Sequence, residues 1–256
     1  MSKRFTFLGT GTSSGIPTVG CPCEVCNSND PKDKRLRSSL LIESENTTVL
    51  IDTSPDLRQQ MLMNNIKKID AVIYTHHHFD HIGGFDDLRA FNYTARKPVP
   101  VYLMERTFEN LKKTFFYAFG DLEQEGGGVP VVDINFIDEK TFNIGDIVIK
   151  PIPLLHGKMK VLGFRIGNFA YCTDTNIIPE NSFSSMKNLD ILVLDALRYN
   201  KHETHFTVDD AIKIAGNIDA KSTYFTHMAH EVSYAECEKI LPKNFHLAYD
   251  GLILQL

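Results

Sequence analysis

The chain lacks an excess of positive charge. Its 27 lysines and arginines stand against 32 aspartates and glutamates, a net charge of −5. A general binder of the phosphate backbone is basic over much of its surface, so nucleic acid is not the expected partner. Long apolar runs are missing too. None approaches the roughly 20 residues of a membrane span. The opening Met1-Ser2-Lys3-Arg4-Phe5-Thr6-Phe7 has no apolar core of the kind a signal peptide needs. A cytoplasmic location with no membrane partner is the expectation. No Pro/Ser-rich linker, charge run or internal repeat divides the 256 residues, so one domain over 1–256 is expected. The glycine-rich Gly9-x-Gly11-x-x-x-Gly15 lacks both the Lys-Ser/Thr of a P-loop and the G-x-G-x-x-G spacing. It reads as a tight turn rather than a nucleotide loop.

Hydrophobic residues make up 43% of the chain, enough for a sizeable core. The five cysteines are unevenly placed: Cys21, Cys23 and Cys26 crowd together, while Cys172 and Cys237 sit alone in apolar settings and read as inert core residues. In a cytoplasmic protein such a cluster reads as metal-binding before it reads as disulfide. Three thiolates leave one corner of a tetrahedral zinc site unfilled, and a distant histidine is the usual way to fill it.

The most informative stretch is Thr75-His76-His77-His78-Phe79-Asp80-His81, of the form H-x-H-x-D-H and followed by Ile82-Gly83-Gly84. The β-prone Ala71–Thr75 leads into it, a buried strand delivering four candidate ligands onto one loop. Imidazole with carboxylate suits zinc, manganese or iron.

Strands are expected at Arg4–Leu8, Ser39–Glu43, Thr48–Asp52, Val131–Ile137, Ile147–Pro153, Val161–Ile166, Phe169–Thr173, Asp190–Asp195 and Ser222–Thr226. Helices are expected at Ser54–Asn65, capped near Ser54 or Asp56, at Arg106–Phe119, at Thr207–Ile218 with Thr207 as cap, and at Tyr234–Leu241. The Phe-rich helix at 106–119 could pack as core, border a pocket, act as a lid or form a dimer contact. Gly126-Gly127-Gly128 reads as a flexible connection.

The later strands end in metal-competent residues: His156, Asp174 and His227. With His76, His78, Asp80 and His81 they make seven ligands, the right number for two metal ions sharing one carboxylate. Asp52 closes another strand; it either orients a ligand histidine or bonds local amides.

In order and spacing this set resembles the metallo-β-lactamase superfamily, and the resemblance covers nearly the whole chain. It implies an α/β (α+β) four-layer αββα sandwich with the metals at one edge of two sheets. It implies that His76, His78 and His156 hold one metal, that Asp80, His81 and His227 hold the other, and that Asp174 bridges them. Asp174, where some antibiotic-degrading members carry Cys, favours the two-metal hydrolase branches. His78 speaks against the flavodiiron branch, which usually carries Glu there. Only 29 residues follow His227, leaving no room for the helical domain of glyoxalase II.

The start narrows the resemblance. Leu8-Gly9-Thr10-Gly11-Thr12-Ser13-Ser14-Gly15-Ile16-Pro17 followed by Cys21-x-Cys23-x-x-Cys26 is similar to the phosphoribosyl 1,2-cyclic phosphate phosphodiesterase-like group of the phosphonate (C–P lyase) pathway. That group places a structural zinc on three cysteines and a histidine three residues beyond the last catalytic one. Here that is His230, which would complete a small zinc loop at about residues 17–30. The group also places a proton-donating histidine in the region Asp195–His205, which makes His205 the first choice and His202 the second, with Asp80 counted among the catalytic groups. Arg198 either meets a substrate phosphate or makes a surface ion pair.

The expected activity is metal-dependent hydrolysis of small phosphodiesters, cyclic ones included. Two active-site zinc, manganese or iron ions and one structural zinc would serve as cofactors. A homodimer is left open. Three other activities stay in view: a tRNA 3′-processing endonuclease, a thioester or lactone hydrolase, and a non-catalytic metal-binding scaffold. Only 17 residues separate His156 from Asp174, leaving no room there for a long tRNA-gripping arm.

Overall fold

The structure, a computed structural model, describes residues 2–120 and 128–256. Gly126 and Gly127, part of the expected connection, lie outside the described residues. Two seven-stranded sheets form the centre. The first runs β14 (Ile253–Gln255), β1 (Arg4–Gly9), β2 (Ser39–Glu43), β3 (Thr48–Ile51), β4 (Ala71–Ile73), β5 (Val99–Leu103), β6 (Val132–Phe136). The second runs β13 (Phe245–Leu247), β12 (Ser222–Thr226), β11 (Ile191–Asp195), β10 (Phe169–Cys172), β9 (Met159–Ile166), β8 (Ile147–His156), β7 (Phe142–Ile144). In each sheet an antiparallel half meets a parallel one: β3 to β6 run parallel, as do β10 to β13.

Alternation along the strands builds the layers. Successive side chains point to opposite faces. In β2, Leu40 and Ile42 enter the core between the sheets, while Leu41 faces the outer helices. In β11, Ile191 and Val193 face inward and Leu192 and Leu194 outward. Phe5 and Phe169 stack across the two sheets with ring centroids 3.8 Å apart.

Helices α2 (Leu57–Met63), α3 (Phe79–Ile82), α4 (Arg89–Ala95) and α5 (Glu105–Thr114) lie on the chain of the first half. Leu57, Met61, Ile82, Phe91 and Leu111 carry them onto the outer face of the first sheet. On the second sheet, α7 (Val208–Ile218) and α8 (Tyr234–Ile240) contribute Val208, Ala211, Ala215 and Cys237. Two four-residue helices complete the set, α1 (Glu24–Asn27) in the cysteine loop and α6 (Glu180–Phe183). Four layers result, as expected.

Some expectations shift. The helix expected from Arg106 to Phe119 stops at Thr114 and continues as a 3₁₀ turn over Phe116–Ala118. Its Phe115 is core, Phe108 and Phe119 pack against that core, and Phe116 is exposed. The helix expected from Ser54 starts at Leu57 because Pro55 precedes it. Asp56 sits at its cap position but makes no cap bond; its carboxylate instead accepts from Arg37 N and Nη1 at 2.8 and 2.9 Å. Thr207 does cap α7, accepting from Asp210 N at 3.0 Å.

Among the described residues no helix is long and apolar enough to cross a membrane. The chain between His156 and Asp174 is taken up by β9, β10 and their tight turns.

Candidate metal centre

The carboxyl ends of the parallel strands converge at one edge of the sandwich. β3 leads to Asp52, β4 to His76, β10 to Asp174, β11 ends at Asp195 and β12 leads to His227. Such ends are where α/β sheets present ligand-binding groups. Three of these residues take a left-handed backbone: Asp52 (φ 62°), Asp174 (φ 52°) and His227 (φ 61°). Non-glycine residues there carry strain that the surroundings must hold, a pattern typical of functional sites. The turn bends the chain sharply off the strand and aims the side chain across the edge.

The glycine-rich start reaches the same edge. Gly9 lies where a Cβ would stand 2.0 Å from Arg37 O. Only glycine allows β1 to approach that backbone so closely. The segment then brings Thr12 Oγ1 to 3.4 Å from His227 Nε2. This agrees with a tight turn near the candidate metal site.

Two groups of donors form. His76, His78 and His156 make the first and Asp80, His81, Asp174 and His227 the second, the donor atoms in each lying within 4.8 Å of one another. Asp174 joins them: Oδ1 lies 4.0 Å from His76 Nε2, while Oδ2 lies 3.1 Å from His81 Nε2 and 3.2 Å from His227 Nδ1.

The far nitrogens are anchored. His81 Nδ1 meets Asp52 at 2.7 Å, His156 Nδ1 donates to Thr204 O at 2.7 Å, and His76 Nδ1 lies 3.0 Å from Thr75 Oγ1. Asp52 also accepts from Thr75 N and Oγ1, both at 2.8 Å. Both sequence readings of Asp52 hold: it orients a histidine and bonds a local amide. With Nδ1 engaged, Nε2 of His76 is left buried with no hydrogen-bond partner, and Nε2 of His81 faces the carboxylates of Asp174 and Asp80. Buried polar atoms are rarely left unpaired. Imidazole nitrogens converging with carboxylates fit divalent cations held by N and O donors.

Electrostatics agree. Burial, with other imidazoles nearby, holds His76, His78 and His156 below the usual histidine value and pushes His227 down to about 4, all toward the neutral ligand form. Burial opposes charge on Asp174 and Asp80, yet the neighbouring histidines hold both below the usual carboxylate range. His81 is driven the other way: burial is outweighed by Asp174, Asp80 and Asp52 around it. Three carboxylates on one imidazole are a surplus of negative charge that a cation neutralises, displacing the proton.

The structure separates the two proton-donor candidates. His205 Nδ1 lies 2.8 Å from Asp195 Oδ2, and its ring is 4.5 Å from that of His156 and 4.9 Å from that of His227. His205 also falls within 4.8 Å of His156 and Asp174 by its donor atoms. Burial lowers its proton affinity, but Asp195 raises it more, to about 9. His202 stands one ring farther out, 5.1 Å from His205, with Nδ1 turned to Thr204. Asp195, the partner of His205, was not singled out in the sequence; its one signal was its place at the end of an apolar strand. Arg198 makes the surface contacts, 3.7 Å from Glu231 with its guanidinium donating to Asn200 O and Lys201 O.

A third group lies to one side. Cys21, Cys23, Cys26 and His230 place their donor atoms within 4.8 Å of one another. His230 Nδ1 is 3.1, 3.4 and 3.9 Å from the sulfurs of Cys21, Cys23 and Cys26. The Cys26 amide, followed by His230, pulls the Cys23 thiol down to about 6. Three sulfurs around one imidazole nitrogen are the donor set of tetrahedral zinc.

Residues 47–228 match the family model of the beta-lactamase superfamily domain. The chain belongs to this superfamily. A solved diphosphatase of the PhnP family is 42% identical with a TM-score of 0.94, over 100% of this chain and 98% of that one. Zinc-bound PqqB from Methylobacterium extorquens shares the fold, with a TM-score of 0.79 at 19% identity over 99% of this chain and 100% of that one. The octanoyltransferase of Porphyromonas gingivalis is 37% identical over 253 residues, 97% of this chain and 51% of that protein. The chain thus spans about half the length of that relative. Membership of the superfamily implies divalent-metal binding, and histidine and aspartate groups able to hold a metal are present.

Proposed function

We propose that the chain is a two-metal hydrolase of small phosphodiesters. The observation that carries this is the position of Asp174, one oxygen facing the His76 group and the other facing His81 and His227. His76, His78 and His156 would hold one ion, and Asp80, His81 and His227 the other, with Asp174 between them. When bound, two zinc or manganese ions (or iron) supply a nucleophile at neutral pH and offset charge on the phosphate oxygens. Cys21, Cys23, Cys26 and His230 would hold a structural zinc.

The protein's own groups do the rest. Asp195 fixes the His205 tautomer by taking Nδ1–H, so Nε2 faces the cleft. Protonated His205 then donates from Nε2 to the departing alkoxide. Asp52 and Thr204 O hold His81 and His156 by their Nδ1 atoms.

The 42% identical relative is a diphosphatase, which favours a second reading in which the scissile group is a diphosphate. Both substrates present phosphorus to the same nucleophile. The octanoyltransferase name belongs to a protein of twice this length. Acyl transfer calls for a nucleophile at the cleft, yet Cys172 and Cys237 are buried and the other cysteines gather around His230.

The test is a substrate panel with the metal-loaded chain: bis-(p-nitrophenyl) phosphate, cyclic ribose phosphates, a nucleoside diphosphate and an octanoyl thioester. Diester turnover is expected. Thioester turnover without phosphorus chemistry would overturn the proposal. Small-molecule substrate and a cytoplasmic setting remain part of it.

A further inference from the structure

We propose that Arg35 is a positioning residue shared by both candidate metal centres. Its guanidinium holds the segment from His227 to Val232 in register, so that one rigid stretch presents His227 to the cleft and His230 to the cysteines. This rests on the two-centre reading above.

Arg35 is 1% exposed, among the largest fully buried side chains of the protein. Burying a guanidinium is costly unless every donor is used. Here Nη2 donates to Val232 O at 2.7 Å and to Asp33 Oδ1 at 3.1 Å, Nη1 to Ala229 O at 3.3 Å and Nε to Lys32 O at 3.3 Å. The two carbonyls Ala229 O and Val232 O flank His230. Asp33 closes the ring by accepting from Tyr234 N at 2.8 Å. The backbone of Arg35 reaches the other way: its N–H and C=O pair with Ile16, both at 2.8 Å. Ile16 packs with Val25 and Cys26 at the base of the cysteine loop. One residue therefore joins that loop to the stretch carrying both histidines.

The stretch needs holding. His227 is left-handed (φ 61°), a conformation that persists only when its neighbours impose it. On its far side, Met228 N donates to Thr10 O, Thr12 N to Met228 O and Ala229 N to Leu197 O. Those bonds leave the carbonyls of Ala229 and Val232 facing the guanidinium. Lysine, with a compact ammonium instead of a planar fork, cannot serve both carbonyls and Asp33 at once.

The experiment follows amide hydrogen exchange in the metal-free chain, then cobalt loading. The thiolate charge-transfer band reads the cysteine cluster, and the d–d bands that persist in Cys23→Ser read the cleft. In metal-free wild type, the amides of Met228, Ala229 and Val232 should exchange more slowly than those of Cys21 and Cys26. Arg35→Met should speed exchange at Ala229 and Val232 about tenfold, leave Ile191–Asp195 unchanged, and weaken cobalt binding at both centres about 10- to 100-fold. Arg35→Lys should fall between. Cys23→Ser should lose the charge-transfer band but keep Ala229 and Val232 protected. Unchanged exchange in Arg35→Met, or equal loss of protection in Cys23→Ser, would overturn the proposal. If neither arginine variant folds, the wild-type chain decides: a segment exchanging as freely as the cysteine loop once metal is removed overturns it. Failure of the two-centre reading shows separately, as wild type lacking the charge-transfer band or Cys23→Ser lacking d–d bands.

Discussion

His205 offers a test at the scale of one side chain. If it protonates the leaving oxygen, its removal should matter most where the leaving group is poor. His205→Ala is expected to lower kcat for an alkyl phosphodiester about 10²- to 10⁴-fold, with KM and metal content nearly unchanged. For bis-(p-nitrophenyl) phosphate, whose nitrophenolate leaves unprotonated, the loss should be much smaller. Equal losses on both substrates would contradict the role. His205 and His202 were both named as candidates from the family resemblance, in a polar segment that follows a strand. Nothing in the sequence ranked them by geometry; Asp195 at 2.8 Å does.

Asp250, absent from any motif, carries a second residue-scale prediction. Its carboxylate accepts from Thr10 Oγ1 and Leu36 N, both at 2.7 Å, and burial pushes it up to about 7. A carboxyl raised in the folded state stabilises most when both states are protonated. Its contribution is therefore full below about pH 4 and is lost as pH rises through about 7, up to about 4 kcal/mol. Asparagine keeps the shape without the titration, its oxygen accepting from Leu36 N. Relative to Asp250→Asn, the metal-free wild type should lose melting temperature between pH 4 and 7. Parallel curves would contradict this.

At the scale of elements, strands were legible where apolar residues run unbroken and the cap at Thr207 where the motif is local. β5 was missed because Pro100 sits inside it, and proline argues against an interior strand. β7, β13 and β14 were missed because each has three residues, too few for a pattern. The left-handed strand ends at Asp52, Asp174 and His227 left no sequence signature beyond residue type, since aspartate and histidine tolerate that backbone better than branched residues. Asp52 acts on the site through His81, so Asp52→Ala should cost about 10- to 100-fold in metal affinity, measured by competition with a chelator. An unchanged affinity would make Asp52 merely a bond to Thr75. The cysteine loop is tied to the same edge, because two residues separate His227 from His230. Cys23→Ser should lower both melting temperature and turnover; retention of both would uncouple the loop from the cleft.

At the scale of the molecule, the four layers follow from strands apolar on both faces, which require cover on both sides. The pairing of the two sheets was not legible from strand patterns; it came from family resemblance. Its contact is concrete, with Phe5 on one sheet stacked on Phe169 of the other. Phe169→Ala should destabilise the protein by about 3–5 kcal/mol in denaturant unfolding, and a cost below 1 kcal/mol, less than a single well-tolerated core swap, would contradict that packing.

The most direct measurement of the central claim is the metal count per chain together with diester turnover, in wild type and in Asp174→Ala. The account predicts about three ions in wild type, two in the cleft and one on the cysteines, with turnover of bis-(p-nitrophenyl) phosphate that disappears in the variant. Fewer than two cleft ions in wild type, or turnover that survives Asp174→Ala, would contradict it.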